Sequence, residues 1–338
     1  DDPVHAFQPS RSTSGGFLRT NGRSMVDGTG SFVVLRGANF FGYEFGLWNT
    51  HRESDYSRMA SWGFNVVRLP IAWNFIEPQP GTYDQNYFSS YVDKDIAWAK
   101  KNAIYIILDM HQSGWSPRFT YFDSWHTAGV PSWAVASYPN TGEGEAQAIA
   151  DFWSNMGPNG TVPSDQNPSM QQRFVQMWRY VALRYSQENT IAGYDLFNEP
   201  GVYSSDSKFG FYSYSTLASV TLPAFLGRVA DGIRTVDRNH VLYWEPPIVQ
   251  GLVWGNPTAY AQLLWDSYLS RPNVVYSPHY PGIGSGVSLY KYGGNKAQLE
   301  SSLQITVLQL SQRWGQPVML GEWGIVANGD NAAQSVSY

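Results

Sequence analysis

The 338-residue chain has no cysteine, which excludes disulfides and thiolate metal sites at once. Charge is scarce as well: Asp, Glu, Lys and Arg make up 14% of the residues, against about a quarter in an ordinary globular domain. The net charge is −5 and no block of like charges stands out, so the basic stripe that a nucleic-acid partner needs is missing. No apolar run reaches the roughly 18 residues of a membrane span. No spacing of His, Asp and Glu reads as a metal site, and no glycine-rich phosphate cradle follows a strand-like run, so neither metal nor cofactor is expected. The opening DDPVHAFQPSRSTSGG is polar and does not read as a signal peptide.

What the chain has in plenty is aromatic rings, 16% of the residues with 14 Trp and 22 Tyr. Rings of this kind fill cores and also line clefts that stack flat ligands. With so few charges the surface must be covered by Ser, Asn, Gln, Thr, Tyr and Gly. That surface, together with the substrate inferred below, suggests an extracellular (secreted) protein, and Asn159-Gly160-Thr161 matches a glycosylation sequon.

Short apolar runs alternate with stretches of helical spacing, the pattern of a parallel sheet with helical crossovers. The runs at Val33–Asn39, Val66–Pro70, Ile104–Met110, Gly193–Asn198, Val241–Glu245, Val274–His279 and Val318–Glu322 read as strands. Glu53–Trp62, Phe88–Lys101, Gln171–Ser186 and Leu222–Val236 read as helices. Steps of roughly 30 to 45 residues from strand to strand suit one eighth of a (β/α)8 TIM barrel. One step is far longer, a Trp-, Gly- and Pro-rich insertion at about 111–170 in a single barrel domain of 1–338, placed where barrel enzymes build substrate walls. The strand count stops one short of closure. An open barrel would expose two apolar edges, so the last strand and helix are expected from a second fragment of the same polypeptide, unless one strand is mis-assigned.

Two stretches raise the question of chemistry. In YDLFNEPG (Tyr194–Gly201) and VMLGEWG (Val318–Gly324) an apolar run ends on a glutamate, Glu199 and Glu322. Both carboxylates then lie at the C-terminal rim of the sheet, where barrel enzymes keep their chemistry. Either one alone could be a structural ion-pair partner. Together they supply what glycosidic hydrolysis needs, one carboxyl to protonate the leaving oxygen and another to attack the anomeric carbon. The run GEGEAQAIAD (Gly142–Asp151) reads instead as a solvated helix start.

These motifs resemble glycoside hydrolase family 5, the retaining barrel glycosidases of the cellulase family. LFNEPG is similar to that family's acid/base signature and LGEWG to its nucleophile signature. VVRLPIAW (Val66–Trp73), LDMHQ (Leu108–Gln112), WEPP (Trp244–Pro247) and PHY (Pro278–Tyr280) resemble its second, third, fifth and sixth strands. The resemblance implies Glu199 as general acid and then base, Glu322 as ionised nucleophile, and Arg68 as support for the nucleophile. It also implies Asn198 on the sugar 2-hydroxyl, with His111 and His279 lining the site and Tyr280 contacting Glu322. Tyr280 follows His279 directly, where the family spaces the pair as H-x-Y. Trp73, Trp115, Trp244 and Trp323 follow strand ends and could stack sugar rings, or equally pack a core. The expected activity is an endo-acting β-1,4-glucanase (cellulase). Endoglycoceramidase-like cleavage or mannan hydrolysis is the alternative, and a non-catalytic carbohydrate-binding barrel is the reading from another class.

Overall fold

The computed structural model describes residues 15–112, 114–120, 127–201, 217–247, 271–279, 304 and 308–323. Near the N-terminus β1 (Arg19–Asn21), β2 (Ser24–Val26) and β3 (Phe32–Val33) form a small antiparallel sheet. The central sheet follows, with β4 (Gly37–Asn39), β5 (Val66–Ile71), β6 (Tyr105–Met110), β7 (Ile191–Asp195), β8 (Val241–Trp244) and β9 (Val274–Tyr276). All six are parallel and lie side by side in chain order. A parallel bridge from Tyr276 to Val318 adds the next position.

Alternation of side chains along the strands divides the interior in two. Val67, Leu69, Ile106, Leu108, Tyr194, Leu242 and Tyr276 point outward into a large core shared with the helices. Val66, Tyr105, Ile107, Val241, Tyr243 and Val275 point inward and pack with Leu18, Met25 and Val33 of the N-terminal segment. The small sheet therefore plugs the end of the central sheet at which its strands begin. Every residue of β5 and β6 is buried, as expected for strands covered on both faces. The sheet also curls: Asn39 Nδ2, at the end of β4, donates to the carbonyl oxygen of Gly321 at 3.1 Å. First strand and seventh segment thus meet across the rim. The eighth position lies outside the described residues, among which nothing supports a second fragment.

Between strands run α1 (Glu53–Ser61), the short α2 (Trp73–Ile76) and α3 (Gln85–Tyr87), α4 (Asp93–Lys101), α5 (Gly142–Trp153), α6 (Met170–Tyr185), α7 (Leu222–Arg234) and α8 (Gln309–Trp314). Their ends follow from sequence. Ser169 Oγ accepts from the Gln172 N–H and Gln172 Oε1 from the Ser169 N–H, a capping box that starts α6. Asp93 and Asp95 open α4 while Lys100 and Lys101 close it, matching the helix dipole. Within the long insertion, α5 packs Phe152 and Trp153 against Phe197 and Phe225. Trp153 Nε1 donates to the Gly201 carbonyl oxygen at 3.0 Å, so this helix braces the chain just past Glu199.

Most strand ends shift by one to three residues from the sequence reading, and Val318–Glu322 contributes a single bridge rather than a strand; two differences matter for the site. Val33–Asn39 splits into β3 and β4, which belong to different sheets, and β7 begins at Ile191 rather than Gly193. Gly193 sits where a Cβ would come within 2.2 Å of the Val241 carbonyl oxygen, so a close strand approach explains the residue. No helix of the described residues is long and apolar enough to cross a membrane.

Candidate active site

The site is organised around Arg68. Its place in β5 gives it the inward parity of Val66, and it is 3% exposed. A guanidinium carries five N–H donors in a fixed fork, and here they are almost fully occupied. Nε donates to Asp195 Oδ2 at 2.9 Å, Nη1 to Glu322 Oε1 at 2.7 Å, and Nη2 to Asn198 Oδ1 at 3.0 Å and Glu245 Oε1 at 2.9 Å. Asp109 Oδ1 is a further 2.9 Å ion-pair contact of Nη2. One buried cation thus gathers side chains from the ends of β5, β6, β7 and β8 and from the segment ending at Glu322.

The turn that carries Glu199 leaves β7 at its C-terminal end. Asn198 N–H donates to the Met110 carbonyl oxygen at 3.0 Å, tying the turn to β6. Glu199 then adopts φ 46°, a left-handed conformation that a non-glycine residue holds only where its surroundings enforce it. Its N–H donates to Glu245 Oε2 at 2.7 Å, and Gln112 Nε2 donates to the carbonyl oxygens of Asn198 and Glu199 at 3.3 Å each. His279, past the end of β9, places Nδ1 3.1 Å from Glu199 Oε1 and 3.8 Å from Glu322 Oε2. Its Nε2 is 3.0 Å from Glu245 Oε1. Single oxygens of Glu199 and Glu322 and a His279 nitrogen all lie within 4.8 Å of one another. So close an approach suits the carboxyl pair of retaining glycosidases, about 5–5.5 Å apart, better than the inverting pair at about 6.5–9.5 Å.

The electrostatics separate the groups. Burial alone would raise Glu322, but His279, Arg68 and His111 outweigh it and hold the carboxyl down at about 2. Burial pushes Glu245 up to about 8 against the pull of His279 and Arg68, and burial also raises Asp195. For His279 burial disfavours charge, yet Glu245 and Glu322 carry its pKa well above the ordinary histidine value. His111 is raised in the same way by Asp109, whose Oδ2 lies 2.7 Å from its Nδ1.

Among the described residues two triplets have cation-ligand spacing: Glu199, His279 and Glu322, and the fully buried Asp109, Asp195 and Glu245. Arg68 touches every member of the second triplet and supplies the positive charge a metal would bring.

Of the residues singled out in the sequence, Glu199, Glu322, Arg68, Asn198, His111 and His279 converge on this rim. Three of the four tryptophans do not act as exposed platforms. Trp73, Trp115 and Trp244 are each 1% exposed; Trp73 packs edge-on against Trp133 and Phe174, Trp115 stacks on Phe119, and Trp244 packs on Tyr276 and Trp314. Trp323 is 73% exposed beside Glu322, free to meet a ligand face. Tyr280 lies outside the described residues. Sequence reasoning passed over Asn39, Asp109, Gln112, Asp195 and Glu245. Parity would have found three of them: Asp109 is in phase with Ile107, Asp195 with Gly193, and Glu245 with Tyr243, all inward, while Trp244 is in phase with the outward Leu242.

The family model described as Cellulase (glycosyl hydrolase family 5) matches residues 26–338. An Endoglucanase of Paenibacillus polymyxa is 26% identical over 344 residues, covering 91% of this chain and 71% of the relative. Endoglycoceramidase I of Rhodococcus hoagii is 24% identical over 293 residues, covering 81% of this chain and 54% of the relative, so the chain spans about half that protein's length. Among solved structures, an endogalactoceramidase superposes with a TM-score of 0.71 at 26% identity, covering 95% of this chain and 70% of the other. Endo-glycoceramidase II from Rhodococcus sp. gives 0.71 at 24% identity with 95% and 72% coverage, a likeness of fold. The barrel these structures share is the (β/α)8 architecture in which the parallel sheet described above takes its place.

Proposed function

The chain belongs to the cellulase family, glycosyl hydrolase family 5, and from that premise we propose that it cleaves a β-glycosidic bond with retention, using Glu199 and Glu322 in two displacements. As a member of that family it is a glycoside hydrolase acting on a carbohydrate. The observation that carries the mechanism is the approach of a Glu199 oxygen and a Glu322 oxygen to within 4.8 Å.

In the first displacement Glu322 attacks the anomeric carbon. The bond to the leaving oxygen breaks as that oxygen takes the proton of Glu199, leaving a glycosyl ester on Glu322. In the second, Glu199 accepts a proton from water, the water oxygen bonds to the anomeric carbon, and the ester bond to Glu322 breaks. Arg68 and His279 keep Glu322 ionised for the attack. Asn198, oriented by Arg68, would meet the sugar 2-hydroxyl, and His111 would line the same subsite. Trp323 would stack on a sugar face; Tyr280 keeps its proposed contact with Glu322.

The substrate we favour is a β-1,4-glucan cut internally, supported by the endoglucanase relative. A second reading, release of an oligosaccharide from ceramide, is favoured by one observation. The loop leaving β4 at the catalytic rim exposes Phe41 (58%) and Leu47 (45%), with Phe41 resting 4.8 Å from Phe45 between ring centres. An apolar lip of this kind suits an acyl chain, and endoglycoceramidases are among the relatives. We place the protein outside the cell, a reading supported only by its low content of charged residues. The experiment is a side-by-side panel of carboxymethyl-cellulose, mannan, xyloglucan and a glycosphingolipid with product analysis. Shortened gluco-oligosaccharides support the first reading, an intact oligosaccharide plus ceramide the second, and no release from any substrate refutes both.

A further inference from the structure

We propose that Glu245 is the positioning residue for the acid/base glutamate, fixing the left-handed turn of Glu199 and the orientation of His279 so that the proton of Glu199 is aimed at the leaving oxygen. The inference rests on the double-displacement reading above and adds a residue to it.

Glu245 is 2% exposed at the inward end of β8, too deep to touch a sugar on the rim. Both its oxygens are engaged. Oε2 accepts the Glu199 N–H at 2.7 Å, a side-chain contact to the backbone nitrogen of the residue with φ 46°. Such backbone strain persists only where contacts over-determine it. Oε1 faces His279 Nε2 at 3.0 Å and Arg68 Nη2 at 2.9 Å. His279 in turn offers Nδ1 to Glu199 Oε1 at 3.1 Å. Glu245 therefore grips Glu199 twice, directly through the main chain and indirectly through the imidazole that meets its carboxyl.

The third contact matters less. Arg68 keeps Asp195, Glu322, Asn198 and Asp109 as partners, so the guanidinium, and with it the nucleophile Glu322, remains anchored when Glu245 is altered. Nor should the substitution unfold the protein. Arg68 faces four carboxyl groups within 2.9 Å, more partners than one cation needs, so a neutral amide in place of one of them leaves it anchored.

This asymmetry sets the test. Proton donation to the leaving group matters for an alkyl aglycone and hardly at all for 2,4-dinitrophenolate, which departs unprotonated. The variant is Glu245→Gln, isosteric but with an N–H₂ where an acceptor is needed, assayed as kcat/KM on an alkyl β-cellobioside and on 2,4-dinitrophenyl β-cellobioside. The expected result is a loss of about 100-fold on the alkyl glycoside, the cost of misplacing a catalytic group by about 1 Å, with the dinitrophenyl glycoside within about threefold of the parent. Glu245→Asp, which keeps a carboxyl group but withdraws it from the Glu199 N–H, should show the same split in milder form. Equal losses on both glycosides, no loss on either, or failure of both variants to fold would overturn the proposal. If the parent protein cleaves neither glycoside, it is the double-displacement reading that fails.

Discussion

Arg68 Nη1 lies 2.7 Å from Oε1 of Glu322, the proposed nucleophile, and after His279 it is the main group that holds this carboxyl down at about 2 against burial. A buried guanidinium cannot release its proton, so its share of the effect persists across the working pH range. Removing the cation has two consequences. Arg68→Met leaves Asp109, Asp195 and Glu245 buried without their shared partner and should cost about 3–5 kcal/mol in denaturant unfolding. It should also move the acid limb of the kcat/KM profile to higher pH, because a nucleophile with a raised pKa loses its charge sooner as pH falls. An acid limb that stays in place would contradict the role given to Arg68.

Stability should depend on pH through Glu245. Its folded-state value of about 8 exceeds the ordinary 4.5, so between these two the folded protein binds more protons than the unfolded chain, and stability falls as pH rises. Glu322 acts in the opposite sense at the acid end. Its lowered value, about 2, contributes stability that is present above 4.5 and lost on descending towards 2. Thermal melts from pH 5 to 8 should show a decline in the parent that is shallower in Glu245→Gln.

The tryptophans should separate by location. Trp73→Ala removes a ring packed on Trp133 and Phe174 and the donor to Glu77 Oε2 at 2.7 Å, so it should cost about 3–5 kcal/mol of stability while the folded fraction retains its KM. Trp323→Ala removes an exposed ring and should leave the melting temperature in place while raising KM about fivefold, the scale of one aromatic contact near 1 kcal/mol. Oligosaccharide titrations alongside calorimetry check both.

A single glycine tests the frame that carries these groups. Gly193→Ala would put a Cβ within 2.2 Å of the Val241 carbonyl oxygen, pushing β7 from β8 just below Asp195. Loss of both stability and kcat is expected, measured by unfolding and by turnover.

Much of this arrangement was legible in the residues, and the reason is periodicity. Apolar runs at regular spacing gave the parallel strands, and a glutamate ending each of two runs pointed to the rim where Glu199 and Glu322 meet. What escaped notice was set by the facing of side chains within a run. Asp109, Asp195 and Glu245 are fully buried carboxyl groups, which a search for surface chemistry passes over until Arg68 is seen to contact all three. Trp244 drew attention for its ring while its neighbour Glu245 points into the site. Pro200 and Gly201 mark the turn, but the left-handed residue is Glu199 itself; tertiary contacts from Glu245 and Gln112 hold it there, and contacts of that range leave no local mark in a sequence.

The central claim is that Glu322 forms a bond to the sugar while Glu199 moves the proton. Incubation with a 2,4-dinitrophenyl 2-deoxy-2-fluoro-β-cellobioside, followed by intact-mass and peptide mass spectrometry, tests it most directly, because the fluorine slows the second displacement and preserves the ester. One fluoro-cellobiosyl group on the peptide carrying Glu322, with activity lost in step, is the expected result. A label on any other residue, or unmodified enzyme that turns cellobiosides over with inversion at the anomeric carbon, would contradict it.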